Sequence, residues 1–467
     1  MTLSFFEKLW RSHVVRDYGD GRAILHIDRH VVHEGSSPEA FDGLRRTGRK
    51  VRNPELTYAV LDHMVSTMPG RNADTFAPGR ERIRLLQQNC REFGITLLDL
   101  DDARQGIAHV IAPELGIALP GATLVCGDSH TATCGGLGAY AWGVGTTEVH
   151  QVLATQSLII KKPKSMRIDF AGTIAPGIYA KDLILYLIGR FGVAGGVGHA
   201  IEYAGFAIRA LSVEARMTVC NMSIEFGAPA GFVAPDDKTF EYVAARPCAP
   251  KGTGWDVAFA RWRLLPSDSG AVFDRELTVD CAAIRPQVTW GISPQNVIGV
   301  DQAIPDPASP PEHETRESVD RAVSYMGLTP GTPIEGLPVD LAFIGSCTNS
   351  RLADLEAAAE VARGRKVAPG VRALVVPGSM AVKAAAEAKG LDRVFTESGF
   401  EWRNAGCSMC VAANGDVVPP GKRCISTSNR NFENRQGPGS RTHLASPAMV
   451  AAAAVTGRIT DVRKLLP

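Results

Sequence analysis

Apolar and polar positions alternate along this chain in blocks. A short apolar run ends in a polar turn, and a stretch with helical periodicity follows. Ala122-Thr-Leu-Val-Cys126 reads as a strand that ends at Gly127-Asp128-Ser129-His130, and the pattern predicts a helix from Glu148 to Leu158. Val339 to Ile344 predicts a buried strand, Gly345 to Ser350 a turn, and Arg351 to Arg363 a helix with Leu352, Leu355 and Ala359 on one face. Ala373 to Val376 repeats the scheme, and an Ala- and Lys-rich helix closes near Gly390. Such alternation predicts an α/β fold with a parallel sheet, whose ligands sit beyond the carboxyl ends of the strands.

Two breaks interrupt the pattern, the basic Lys161-Lys-Pro-Lys164 and a second near 285 to 290. Residues 301 to 316 hold Pro305, Pro307, Pro310 and Pro311 and predict a surface loop or linker rather than regular structure. No internal repeat is visible. The 467 residues correspond to about three domains at ~150 residues each.

Fifty basic residues against forty-nine acidic give a formal charge of +1, so no global field draws nucleic acid or an anionic membrane, and anion recognition must be local. The first ten residues carry charge and lack a leader-like apolar run, and no stretch approaches the ~20 apolar residues of a membrane span. The chain reads as soluble and cytoplasmic, with its ten cysteines kept reduced and some available as ligands.

Three cysteines stand out. Cys347 lies at a predicted strand end, in Gly345-Ser-Cys-Thr-Asn-Ser350, and Cys407 and Cys410 flank the turn Gly406-Cys-Ser-Met-Cys410. Three converging thiolates suit an iron–sulfur cluster with one open iron. Spacing alone equally allows a zinc knuckle, a redox pair, or a closed four-thiolate site completed by Cys424. Ser426-Thr-Ser-Asn429-Arg430-Asn431-Phe432-Glu433-Asn434-Arg435 places two guanidinium forks among short polar residues, which suits bidentate binding of carboxylates but is also compatible with a solvated loop. Asp62-His63, His109 and Asp128-Ser129-His130 offer oriented imidazoles for proton transfer, although a single histidine is more often structural.

The motifs Cys-Gly-Asp-Ser-His-Thr, Asn221-Met-Ser-Ile-Glu225, Gly-Ser-Cys-Thr-Asn-Ser, Gly-Cys-Ser-Met-Cys and Ser-Thr-Ser-Asn-Arg-Asn-Phe resemble, in this order, those of the aconitase family of hydro-lyases. The resemblance covers nearly the whole chain. It implies three aconitase-like α/β domains, at about 1–163, 164–286 and 287–467, around a [4Fe-4S] cluster and without the family's swivelling domain. Cys347, Cys407 and Cys410 match the cluster ligands, which leaves one iron free of protein thiolate and Cys424 an ordinary buried thiol. Asp62, His63, His109, Asp128, His130 and Glu225 match acid and hydrogen-bonding groups. Ser129, Asn221, Asn429, Arg430 and Arg435 match residues that line the substrate and cluster.

The resemblance implies dehydration and rehydration of a small hydroxy-dicarboxylate, with a separate small subunit supplying a swivel domain and its serine base. Paralogues acting on citraconate, maleate or homoaconitate share the same motifs. An RNA-binding apo-protein calls for a basic face and aromatic platforms, against which stand the balanced charge and 7% aromatic content. The sequence departs from the family pattern at Met64, Cys134, Ser379-Met-Ala381 and Asn434, and asparagine at the last tolerates a left-handed backbone.

Overall fold

Strands Thr123–Cys126, Leu341–Ile344 and Arg423–Ser426 are buried at every position. Burial of all side chains requires cover on both faces, the condition of a parallel sheet flanked by helices. The computed structural model describes residues 2–466 and meets that condition twice, in two compact units. The first comprises residues 2–65, 72–172 and 196–279, and the second residues 66–71, 173–195 and 280–466.

In the first unit the strands lie in the order Thr96–Leu98, Thr57–Val60, Arg29–His33, Thr123–Cys126, Tyr140–Gly143, with every neighbouring pair parallel. The chain therefore starts in the middle, winds to one edge, returns, and winds to the other. Helices Pro38–Thr47, Arg80–Phe93 and Ala108–Glu114 make the crossovers. A second sheet in this unit pairs Lys164–Ala171 in parallel with His199–Ala204. The antiparallel strands Val14–Asp17, Arg22–His26 and Ser157–Lys161 form another.

The second unit repeats the order with unrelated sequence: Glu401–Trp402, Arg372–Val375, Leu341–Ile344, Arg423–Ser426, Arg441–Leu444, again all parallel. The helix Pro447–Thr456 buries every residue from Pro447 to Ala454, and its alanines let it approach Leu352–Ala362 and strand Leu341–Ile344 closely. In each sheet the order reverses between the first and fourth strands used. A doubly wound sheet leaves a crevice at that point, beyond the carboxyl ends of the two strands.

The expected strands and helices are present to within a few residues, with one difference. The helix expected over Glu148 to Leu158 is Thr146–Thr155, and Leu158 belongs to strand Ser157–Lys161. Gln156 stops the helix in a left-handed conformation (φ 56°), and Leu158 then pairs with Leu25. Residues 301–315 hold neither helix nor strand, and Thr315 caps the helix Arg316–Met326.

Asn434 adopts φ 66° and its side chain accepts a hydrogen bond from the Gly439 N–H at 2.7 Å. Asn434→Val combines a β-branched side chain with a left-handed backbone and loses that bond, a cost of about 1–3 kcal/mol. Urea unfolding should show a larger loss for Val than for Asn434→Gly, which gives up the same bond but relieves the left-handed backbone; equal stability of the two variants would contradict it.

Candidate active site

Three loops leave the carboxyl ends of the first, second and fourth strands of the first unit's parallel sheet. They carry His33-Glu34, Asp62-His63 and Asp128. Glu34 is fully buried, and its carboxylate accepts the backbone N–H groups of Asp62 (3.2 Å), His63 (2.7 Å) and Met64 (2.6 Å), which fixes the loop that presents the imidazole. Gly127 allows the strand end to pass against Ser36, because a Cβ there would collide with the Ser36 side chain.

His63 Nδ1 lies 2.6 Å from Asp62 Oδ1 and its Nε2 3.0 Å from Asp128 Oδ2. Both ring nitrogens face carboxylates, and only the doubly protonated ring donates to both. Asp128 gathers two further imidazoles. His109 Nε2 lies 3.1 Å from Asp128 Oδ1, and His130 Nδ1 lies 3.5 Å from the same oxygen, which also accepts the His130 N–H at 2.7 Å. His130 Nε2 continues to Glu225 Oε1 at 2.9 Å. Ser129 Oγ lies 3.5 Å from His130 Nδ1, and Asn221 donates to Thr133 Oγ1 at 2.7 Å.

Burial disfavours charge on His63 and His130, but the carboxylates outweigh it. Asp62 and Asp128 hold His63 well above the ordinary histidine range, and Glu225 with Asp128 raises His130 to about 9. The same partners act in reverse on Asp128, which is kept well below the usual carboxylate range against its desolvation, chiefly by His109.

His33 stacks on His63 with centroids 4.4 Å apart and planes at 17°. His33, Asp62 and His63 hold the one group of ligand-type atoms within 4.8 Å of one another among the described residues. Nearly parallel rings aim their lone pairs along separate planes, so this group suits proton transfer better than chelation of a single ion.

The second unit places Cys347 just beyond strand Leu341–Ile344, and Asn429 and Arg430 beyond Arg423–Ser426, on the two sides of its own switch point. Thr427 locks the loops together, accepting the Gly345 N–H and donating to the Gly345 carbonyl, each at 2.8 Å. Cys347, Cys407 and Cys410 are buried. Asn429 Nδ2 lies 3.5 Å from Cys347 Sγ, and Cys410 Sγ donates to Asn429 Oδ1 at 3.7 Å, so one amide spans two of the three thiols. Ser346 Oγ lies 3.1 Å from Cys410 Sγ. Ser346, Ser408 and Ala412 have φ of 79°, 49° and 55°, a concentration of left-handed non-glycine backbone at the thiol loops. Arg430 and Arg435 are half-buried, and the Arg435 Nε is enclosed with no protein acceptor among the described residues.

Several contributors escaped the sequence reading. His33 and Glu34 end an apolar run in the same way as Asp62-His63, and a strand-end rule applied to every run would have found them. Lys181, fully buried, donates to the carbonyls of Thr427 and Ser428, the latter at 2.6 Å, and so braces the loop of Asn429 and Arg430. No local signal marks it.

A model of the aconitase family (aconitate hydratase) matches residues 7–457, and the chain belongs to that family. A relative, the 3-isopropylmalate dehydratase large subunit 1 of Bradyrhizobium diazoefficiens, is 56% identical over 458 residues, which cover 98% of this chain and 96% of the relative. Among solved structures, holo-form aconitase X of Thermococcus kodakaraensis aligns over 98% of this chain and 92% of its own at 12% identity, with a TM-score of 0.46.

Proteins of the family bind a [4Fe-4S] cluster, and the donor set here fits one. The three thiols are buried and reduced, and Asn429 and Ser346 place polar groups beside Cys347 and Cys410, the surroundings of a thiolate-held cluster. Cys424 lies within its strand with its thiol 3.5 Å from the Ile425 carbonyl, and burial pushes its pKa up.

Cys347→Ser, Cys407→Ser and Cys410→Ser should each lower iron content after anaerobic reconstitution, whereas Cys134→Ser and Cys424→Ser should retain it; iron and sulfide assays decide. His130, raised from 6.5 to about 9, stabilises the fold fully below pH 6.5 and loses that contribution as pH rises through about 9. Denaturant stability should therefore fall across this window in the native chain, and His130→Gln should flatten the fall. An unchanged slope in the variant would contradict the assignment.

Proposed function

We propose that this chain is the large subunit of a 3-isopropylmalate dehydratase, a hydro-lyase of leucine biosynthesis that converts 2-isopropylmalate to 3-isopropylmalate through 2-isopropylmaleate. The observation that carries the substrate is the 56% identity to a large subunit of that enzyme across nearly the full length of both chains. The doubly protonated His63, with a carboxylate at each ring nitrogen, gives the reading its chemistry.

Cys347, Cys407 and Cys410 would hold the cluster, which with one iron free of thiolate would supply a Lewis acid for the substrate hydroxyl and a carboxylate. His63 enters the cycle as an imidazolium, donates its proton to the departing hydroxyl, and water leaves. Asp62 and Asp128 keep the ring oriented and favour its recharging. Loss of the proton on the adjacent carbon completes the alkene, and water returned at the other carbon gives the isomer. His109, His130 and Glu225 hold Asp128 in place, Ser129 neighbours His130, and Asn221, at the end of helix Val213–Asn221, holds Thr133 of the turn that follows Asp128. Arg430 and Arg435 bind the carboxylates, which gives the enclosed Arg435 Nε its acceptor. Asn429 orders the thiol pair.

The relative's designation as a large subunit supports a small-subunit partner. That partner provides the base, a serine, that takes the carbon-bound proton, so the assembled enzyme needs both chains.

The reconstituted chain mixed with a cognate small subunit should convert 2-isopropylmalate faster than citraconate, maleate or homoaconitate, measured by alkene absorbance. Preference for another diacid would reassign the substrate. Arg430→Lys and Arg435→Lys should keep iron and lose roughly tenfold or more in kcat/KM, since an ammonium cannot make the bidentate contact. Kinetics equal to the native enzyme in both would remove the clamp.

A further inference from the structure

The turn between Cys407 and Cys410 is conformationally costly. Ser408 sits at φ 49° and Ala412 at φ 55°, neither a glycine, and such residues persist where their surroundings determine them. The surroundings here converge on one carboxylate. Asp416 Oδ2 accepts from Ser408 Oγ at 2.8 Å, from Asn414 Nδ2 at 3.1 Å and from Thr67 Oγ1 at 2.8 Å. The Asp416 N–H in turn donates to Asn414 Oδ1 at 3.1 Å.

Thr67 is fully buried and belongs to the short segment 66–71, which follows His63 in the chain and runs beside the residues preceding Cys407. Asn404 N–H donates to the Thr67 carbonyl at 2.8 Å and Asn404 Nδ2 to the Met68 carbonyl at 3.2 Å, while Arg71 reaches the Ala405 carbonyl. The segment is thus a strap along the cysteine turn, fastened through Thr67 by Asp416.

We propose that Asp416, with Thr67 as its anchor, is a positioning residue for the thiol set: it supplies no thiol itself, but fixes the strained turn that aims Cys407 and Cys410. The inference rests on the cluster reading of the three cysteines. An acceptor-only carboxylate at this point serves three donors at once, and hydrogen bonds to a charged acceptor are stronger than neutral ones. Losing one donor weakens the hold on the turn without removing any ligand. Neither residue belongs to the substrate-binding or proton-transfer set.

The test follows cluster retention in the reconstituted full-length chain. Visible absorbance is monitored anaerobically with excess chelator for the native chain, Asp416→Ala, Thr67→Val and Thr67→Ser. Asp416→Ala and Thr67→Val should lose the cluster roughly tenfold faster, the factor that corresponds to one hydrogen bond to a charged group. Thr67→Ser restores the hydroxyl and should decay at the native rate. Thr67→Val is isosteric and keeps the test valid if Asp416→Ala does not fold. The melting temperature of cluster-free Thr67→Ser should match that of the cluster-free native chain.

Native decay rates in Thr67→Val, or decay of Thr67→Ser as fast as Thr67→Val, would overturn the proposal. A native chain that takes up no cluster would instead overturn the cluster reading and this inference with it. A loaded native chain with unchanged variants overturns the inference alone.

Discussion

The Asp128 carboxylate is the interaction on which the first unit's site depends. Its two oxygens meet His63, His109 and His130, and through His130 the chain extends to Glu225. Such a buried arrangement gains little net stability, because desolvation of each charge offsets most of the attraction. Its consequence is protonation: the carboxylates keep His63 and His130 charged in surroundings that would otherwise discharge them. A charged His63 is the form that can give a proton to a leaving hydroxyl.

The two units arrive at their chemistry by one topological rule. Each has a five-stranded parallel sheet whose order reverses between its first and fourth strands. His33-Glu34 and Asp128 leave at the reversal in the first unit, and Cys347 and Asn429 leave at it in the second, while Asp62-His63 and the Cys407–Cys410 turn follow strands farther from it. The shared order is independent of sequence similarity, since crossover handedness and strand burial constrain the winding while leaving the residues free.

The strands and helices were legible because their apolar runs are short, buried and bounded by polar turns, as at Thr123–Cys126 and Leu341–Ile344. The helix ending at Thr155 was overrun because no glycine or proline marks the stop at Gln156, whose left-handed cap depends on tertiary context. Motif residues such as Asp62, His63 and the cysteines were visible as types at loop positions. Their partners were not. Glu34 acts through backbone N–H groups, Lys181 through carbonyls distant in sequence, and Asp416 through a threonine 349 positions away. Such long-range polar contacts leave no periodic trace in the chain.

Asp128→Asn tests whether Asp128 keeps His63 charged and aimed for dehydration. The variant retains size and shape but loses the charge that three imidazoles share. Single-turnover formation of the alkene from 2-isopropylmalate, measured with the small subunit present and with iron content matched to the native enzyme, should slow by ~100-fold or more, the usual scale of general acid–base catalysis. A rate within a few-fold of native at full iron occupancy would contradict the account.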